Sequence, residues 1–157
     1  MSKLQSQVAE FMRLFGQKIE ETPTVPSPNV VRLRANLVVE EVFEMLEAIW
    51  GTMPQWSMAQ ALIRDVIEGR EPRVDLAKLA DAFGDIDYVV EGGRQACGIE
   101  GGSVADAIHH SNMEKVGGQR RQDGKQGKPA QWTPPDIEAV LMKQTTGELP
   151  SLGKVLR

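Results

Sequence analysis

The stretch that most constrains this chain is residues 35–50 (ANLVVEEVFEMLEAIW), which mixes four glutamates with apolar residues. It contains neither proline nor glycine, so we predict that it forms one uninterrupted helix. On a helix, Glu40 and Glu44 lie one turn apart, and Glu41 lies three residues before Glu44. The three carboxylates therefore share one face, and a fold that buries the apolar residues must also neutralise these charges.

Like charges at these spacings repel one another, and the repulsion is costly beside residues that favour burial. Lysines four residues further on would relieve it, but no Lys or Arg occurs between Arg34 and Arg64. A hard divalent cation, which prefers oxygen ligands, would neutralise the cluster. The alternative is an acidic, exposed face that keeps the chain soluble.

Length and composition predict one ordinary globular domain over residues 1–157. No apolar run approaches the roughly 20 residues of a membrane span, and the N-terminal segment lacks the pattern of a signal peptide. The net charge of −4 argues against general nucleic-acid binding. Cys97 is the single cysteine, which excludes an internal disulfide framework, and we expect a cytoplasmic protein.

Apolar residues recur at helical spacing along the chain, and strict two-residue alternation is absent. We therefore predict an all-α fold of about five to six helices. Proline or glycine separates the predicted helices, and a glycine-rich, basic loop spans 117–135. The tail beyond Gly147 is expected to be mobile. The predicted helices are residues 4–21, 29–50, 57–68, 75–97, 103–116 and 136–144.

The helix predicted at 75–97 carries a second acidic pair. Asp81 and Asp85 are four residues apart and share a face. If this helix packs antiparallel to the first acidic helix, four or five carboxylates would converge on one point. Such a cluster would hold two or three Mg²⁺ or Mn²⁺ ions that bridge substrate phosphates.

Several single residues also have expected positions. Trp50, Trp56 and Trp132 are expected to be packing anchors. Cys97 is expected to be a small buried residue, and Tyr88 to pack between helices.

The acidic runs belong to a longer series of motifs. The first is E-E-x-x-E at residues 40–44. An acidic run through Asp85 with Tyr-Val-Val at 88–90 follows, then HHSNMEK at 109–115, and finally Asp-Gly-Lys at 123–125 with Lys-Pro at 128–129 and Trp132. In this order they resemble the all-α nucleoside triphosphate pyrophosphohydrolases, the MazG-like group with relatives among dimeric dUTPases and phosphoribosyl-ATP pyrophosphohydrolases. The resemblance covers roughly residues 5 to 142 and implies an oligomeric MazG-like helical bundle.

The sequence departs from the family pattern at one position. The family has E-x-x-D on the second acidic helix, and aligning that aspartate with Asp85 places Ala82 where the glutamate should stand. Asp81 is adjacent, about 100° round the helix. Either Asp81 replaces the missing ligand, or one metal ion has fewer protein ligands.

The resemblance implies hydrolysis of a (d)NTP to (d)NMP and pyrophosphate in nucleotide-pool control, with dUTP or a purine dNTP such as dGTP as candidate substrates. It implies two to three Mg²⁺ ions per site, which Mn²⁺ can replace, held by Glu40, Glu41, Glu44, Asp85 and Asp81. Glu41 is the candidate general base. Family members form dimers or dimer pairs, so a homodimer or homotetramer is expected.

Basic and amide side chains are candidates for contacts to the substrate. Asn112 and Lys115 share a helix face, and the motif match supports Lys125 and Lys128 as phosphate ligands. The alternative for the loop is a solvated basic segment. An alternative of another class is a catalytically weak helical module that binds nucleotide and metal in a regulatory role. The candidate substrate residues are Asn36, Asn112, Lys115, Arg121, Lys125 and Lys128.

Overall fold

The computed structural model describes residues 1–145, so the tail predicted to be mobile lies outside the described residues. Over this range the chain forms six helices and no strand, with one isolated bridge between Arg120 and Gln126. The prediction of an all-α fold is confirmed. The helices are α1 (Lys3–Leu14), α2 (Pro28–Trp50), α3 (Pro54–Gly69), α4 (Leu76–Cys97), α5 (Gly101–Met113) and α6 (Ile137–Gln144).

The first helix is shorter than predicted, because it ends at Leu14 instead of residue 21. Gly16 adopts a left-handed conformation with φ +63° and donates its N–H to Arg13 O. Gln17 donates to Met12 O at 2.8 Å, which completes a Schellman motif. The apolar residues beyond this turn therefore do not continue α1.

Prolines and glycines place the ends of α2 and α3. Pro28 stands in the first turn of α2 after the N-cap Ser27, and Gly51 ends the helix with φ +81°. Pro54 opens α3 in the same way, so this helix begins three residues before the predicted start at Ser57. The helix predicted at 103–116 is instead α5, which begins at Gly101 and ends at Met113.

The described chain divides into two compact units. The first unit comprises residues 1–21, 80–121 and 126–145, and the second unit comprises residues 22–79 and 122–125. In the first unit α5 packs against both α1 and α6, and in the second unit α2 packs against α3. The assignment of residues 1–157 to a single domain stays a prediction.

Contacts at both ends of the α2–α3 pair fix the second unit. Phe43 is 8% exposed and packs on Trp56, with ring centroids 6.3 Å apart. Near the other end, the guanidinium of Arg32 donates to Arg70 O and to Glu71 Oε2, both at 2.9 Å. Since the early part of α2 contacts the residues after α3, the two helices run antiparallel. Trp56 is a packing anchor as predicted, and it packs against Phe43.

Polar contacts join α1 to α5 in the first unit. Lys3 and Gln7 donate to the two carboxylate oxygens of Asp106 at 2.6 and 2.7 Å. One turn further on, His109 Nε2 lies 3.4 Å from Glu10 Oε2. The hydrogen bonds from Lys3 and Gln7 hold the pKa of Asp106 below its usual range.

The start of α5 is held by Glu100, which caps the helix and contacts α6. Its carboxylate accepts hydrogen bonds from the N–H groups of Gly102 and Ser103 and from the Ser103 hydroxyl. These bonds lower the pKa of Glu100, those from Ser103 most strongly. The backbone N–H and C=O of Glu100 both bond to the side chain of Gln144 at 2.9 Å.

Much of α4 is exposed. Residues 80–93 are exposed throughout, including Phe83 and Val89, and Tyr88 is 82% exposed. The predictions that Tyr88 packs between helices and that Cys97 is buried are therefore wrong for the single chain, because no described element covers these side chains. Trp50 is also exposed, so it is not a packing anchor. Within residues 1–145, no helix is long and apolar enough to cross a membrane.

We expect Glu100→Ala to lower the melting temperature at pH 7 by about 2–4 °C, because the first turn of α5 loses its cap. Since the folded-state pKa of Glu100 is depressed, the stability it contributes is present above its unfolded pKa and is lost as pH falls through the folded value. Thermal melts of the wild type and the variant should therefore converge at acidic pH. A constant difference between pH 7 and pH 3 would contradict this role of the charge.

Candidate active site

The three predicted metal ligands of α2 occupy one face of an uninterrupted helix. Since α2 runs without a break from Pro28 to Trp50, Glu40, Glu41 and Glu44 keep the helical spacing that the sequence predicts. Glu41 and Glu44 are exposed, whereas the side chain of Glu40 is only 32% exposed. The spacing thus places three carboxylates together at the surface of the second unit.

A lysine that is distant in sequence pairs with this face. The Nζ of Lys125 donates to Glu40 Oε2, and both residues belong to the second unit. The Lys125 side chain is 18% exposed, and this desolvation lowers the pKa of its ammonium. The adjacent Glu40 carboxylate favours the charged form of the ammonium. A candidate phosphate ligand therefore contacts a candidate metal ligand, a pairing that the sequence analysis did not foresee.

The residues just before Lys125 form a turn against α2. The backbone N–H of Lys125 donates to Asp123 Oδ1 at 3.1 Å. Gly124 has φ +82°, and a Cβ added there would lie 3.3 Å from a methyl carbon of Leu33. Glycine therefore suits both the backbone conformation and the close approach to α2.

The donor chemistry of this face fits a divalent cation. In neither unit, over residues 1–145, do three His, Cys, Asp or Glu side chains form a group that could hold a metal ion. Mg²⁺ does not require such a cage, because it keeps several waters and uses one or two carboxylates with substrate phosphates. A pair such as Glu40 and Glu44, one turn apart on α2, meets that requirement. The metal site stays a prediction.

The second acidic pair lies in the first unit. Asp81 and Asp85 are exposed on the continuous helix α4, one turn apart as predicted. Ala82, which stands where the family pattern has glutamate, is also exposed. That these aspartates join the carboxylates of α2 stays a prediction.

Two further candidates have different surroundings. The amide of Asn36 donates to Glu68 Oε1 at 2.7 Å, so α3 holds this side chain in the second unit. Arg121 is exposed in the basic loop of the first unit. Contacts of either residue with substrate stay predictions.

The remaining candidate substrate ligands meet at Trp132 in the first unit. Lys115 Nζ donates to Asn112 Oδ1 at 2.6 Å, but α5 ends at Met113, so Lys115 lies in the turn after the helix and the predicted shared helix face is wrong. The same ammonium lies 5.6 Å from the centroid of the Trp132 ring, and that of Lys128 lies 4.1 Å from it. The ring therefore holds two cations in one small region through cation–π contacts.

Ser111 fixes the position of Trp132, and the sequence analysis did not single it out. The indole Nε1 of Trp132 donates to Ser111 O at 2.8 Å, and the Ser111 hydroxyl donates to Thr133 O at 3.1 Å. Ser111 is 4% exposed. In the sequence this serine follows two histidines in the HHSNMEK run. Only the fold shows that residues 132–133 form hydrogen bonds with it.

Glycines and a glutamine shape the basic loop. The side chain of Gln126 donates to Gly118 O at 2.6 Å, and Gly127 N donates to Gln119 O at 3.0 Å. A Cβ at Gly118 would collide with Gly127 O, and one at Gly127 would collide with Gln119 O. The two backbone segments of the loop approach each other so closely that only glycine, which has no Cβ, fits at both positions. Gln126 is a second residue that the sequence analysis missed.

Comparison with known proteins identifies the family. The model of the phosphoribosyl-ATP pyrophosphohydrolase family matches residues 8–112, more than half of the 157-residue chain. The match includes both acidic helices and ends at Asn112, before the lysines that surround Trp132. None of the curated proteins matches the chain. The family match and the helical fold confirm the resemblance drawn from the motifs. The chain therefore belongs to the phosphoribosyl-ATP pyrophosphohydrolase family, whose MazG-like, all-α members are pyrophosphohydrolases that act on nucleotide substrates.

Proposed function

We propose that this protein hydrolyses a nucleoside triphosphate between the α and β phosphates, releasing a nucleoside monophosphate and pyrophosphate in nucleotide-pool control. The observation that carries the proposal is the contact of Lys125 with Glu40. It brings a cation suited to phosphate beside a carboxylate face suited to Mg²⁺. The candidate substrates are dUTP and purine dNTPs such as dGTP. Phosphoribosyl-ATP, for which the family is named, has the same type of scissile bond.

The chemistry requires charge neutralisation and a proton acceptor. When bound, Mg²⁺ or Mn²⁺, at two to three ions per site, neutralises phosphate charge and lowers the pKa of bound water. Glu40, Glu44, Asp81 and Asp85 would hold the ions. Glu41, exposed on the same helix as Glu40, would accept the proton of the attacking water, provided that it contacts this water instead of serving as a ligand.

The basic residues would bind the phosphates. Lys115 is positioned by the Asn112 carbonyl and Lys128 by the Trp132 ring, so both ammonium groups are held before substrate arrives. Positions fixed in this way reduce the entropy lost on binding. Lys125 and Arg121 would add phosphate contacts from the basic loop, and Asn36, held by Glu68, would contact the nucleoside.

The exposed side of α4 supports a homodimer or homotetramer. Phe83, Ile86, Tyr88, Val89 and Val90 are all exposed along this helix in the single chain. Isolated surface hydrophobics are ordinary, but Phe83, Ile86, Val89 and Val90 recur on one side of α4 and form a patch typical of an interface. A second copy of the chain would cover this patch at little additional cost, because the residues already lie on a formed helix.

A catalytically weak module that binds nucleotide and metal in a regulatory role is the second candidate function. Ala82 favours it, since the family pattern has a glutamate at this position. With one carboxylate fewer, the site would bind a metal ion less tightly, but the carboxylates on α2 would still be present. The two functions differ in turnover rather than in binding.

We expect the protein with Mg²⁺ or Mn²⁺ to convert one or a few nucleotides to monophosphate and pyrophosphate. The panel contains all common dNTPs and NTPs, dUTP and phosphoribosyl-ATP, with pyrophosphate and orthophosphate detected separately. Glu41→Gln should lower kcat by about 10²-fold or more, because it removes the proposed base. The matched control is Glu138→Gln on α6, which should retain full activity.

Orthophosphate as the product would exclude cleavage at the α–β bond. Metal-dependent nucleotide binding without turnover would favour the regulatory module, and Ala82→Glu would then be the variant to test for recovered activity. Equal turnover by wild type and Glu41→Gln would remove Glu41 from the mechanism.

We expect light scattering to give at least twice the mass of the 17.3 kDa chain. Val89→Lys should shift the protein toward monomer, because it places a charge within the apolar patch of α4. Val25→Lys introduces the same charge at an exposed valine outside α4 and should leave the mass unchanged. A wild-type monomer would contradict the proposed assembly.

A further inference from the structure

Glu40 has two competing uses. It is a proposed metal ligand, yet in the structure its carboxylate accepts a hydrogen bond from the Lys125 ammonium. A carboxylate oxygen that ligates a divalent cation cannot also hold an ammonium at close range without strong repulsion between the two cations. The two partners of Glu40 are therefore expected to exclude each other.

We propose that Lys125 is a resident counter-ion of Glu40 that a divalent cation displaces, so that metal binding releases the turn of residues 122–125 and frees the ammonium for an anionic ligand. This inference rests on the proposed function, because it requires a metal ion at the α2 carboxylates. It adds an order of events. The Glu40 carboxylate would first bind a metal ion in place of the Lys125 ammonium, and the released ammonium would then bind a phosphate.

The surroundings of the pair make the competition strong enough to measure. With Lys125 18% exposed and Glu40 32% exposed, water screens the pair less than it screens a surface ion pair. The pair also supplies positive charge to a helix that has no Lys or Arg after Arg34. Removing Lys125 leaves the carboxylates less neutralised, so a cation should bind there more tightly.

The turn that carries Lys125 is suited to release. Gln122 and Asp123 are exposed, and Gly124 contacts the methyl groups of Leu33 without a side chain of its own. None of residues 122–124 therefore adds an apolar side chain to the contact with α2. Once Glu40 accepts a metal ion, the ion pair no longer holds the turn in place.

The first test measures the accessibility of Lys125 with an amine-acylating reagent and peptide mass spectrometry on the full chain. Lys125 should react slowly without metal and several-fold faster in saturating Mg²⁺. Lys78, whose side chain is 87% exposed, provides the reference and should react equally in both states. In Glu40→Gln, Lys125 should react fast even without metal, because its partner has lost its charge.

The second test measures the binding of Mn²⁺ alone by electron paramagnetic resonance. Lys125→Met keeps the length of the side chain and removes the charge, and we expect about three- to tenfold tighter binding. Lys78→Met makes the same change of net charge in the second unit at an exposed lysine that pairs with Asp75 and should leave the affinity unchanged. Equal or weaker binding by Lys125→Met would overturn the competition.

The outcomes separate the two proposals. If Mn²⁺ binds but Lys125 reactivity does not change and Lys125→Met binds no more tightly, the counter-ion role is wrong while the metal-dependent function stands. If neither the wild type nor Lys125→Met binds Mn²⁺ or Mg²⁺, both proposals fail. Faster reaction of Lys125 in Mg²⁺ together with tighter binding by the variant supports both.

Discussion

Repulsion among the carboxylates of α2 is the constraint that the ion pair of Glu40 with Lys125 relieves in the second unit. One face of α2 carries Glu40, Glu41 and Glu44, and this helix has no Lys or Arg after Arg34. Lys125, which lies 85 residues further along the chain, donates a hydrogen bond to Glu40. The turn that carries this lysine includes Gly124, which lies against Leu33. Charge neutralisation thus links a helix near the N-terminus to a loop near the C-terminus, and the same carboxylates remain suited to a metal ion.

The first unit positions its cations by different means. Trp132 is fixed by its hydrogen bond to Ser111 O, and its ring then lies within cation–π range of Lys115 and Lys128. The loop between these lysines is held by close backbone approach at Gly118 and Gly127. Each unit therefore carries a preformed cationic element: Lys125 paired with a carboxylate in the second unit, and two lysines against an indole ring in the first.

The exposed apolar face of α4 lies on the helix that also carries two of the proposed metal ligands. Asp81 and Asp85 share α4 with Phe83 and Val89, and all four are exposed in the single chain. If a second copy covers the apolar residues, it approaches the proposed metal ligands on the same helix. Assembly and metal binding would then depend on one element. Ala82, between the two aspartates, is the position where sequence and family pattern disagree.

The sequence by itself determined the helices and the spacing of the acids on them, because helix formation depends on local hydrogen bonds, local propensities and caps. Even the early end of α1 was signalled by Gly16, which the apolar pattern beyond it obscured. Only the tertiary structure decided which distant groups meet: Lys125 with Glu40, Trp132 with Ser111, and Phe43 with Trp56. Such contacts depend on how helices pack and loops close, and no local pattern in the sequence encodes those geometries.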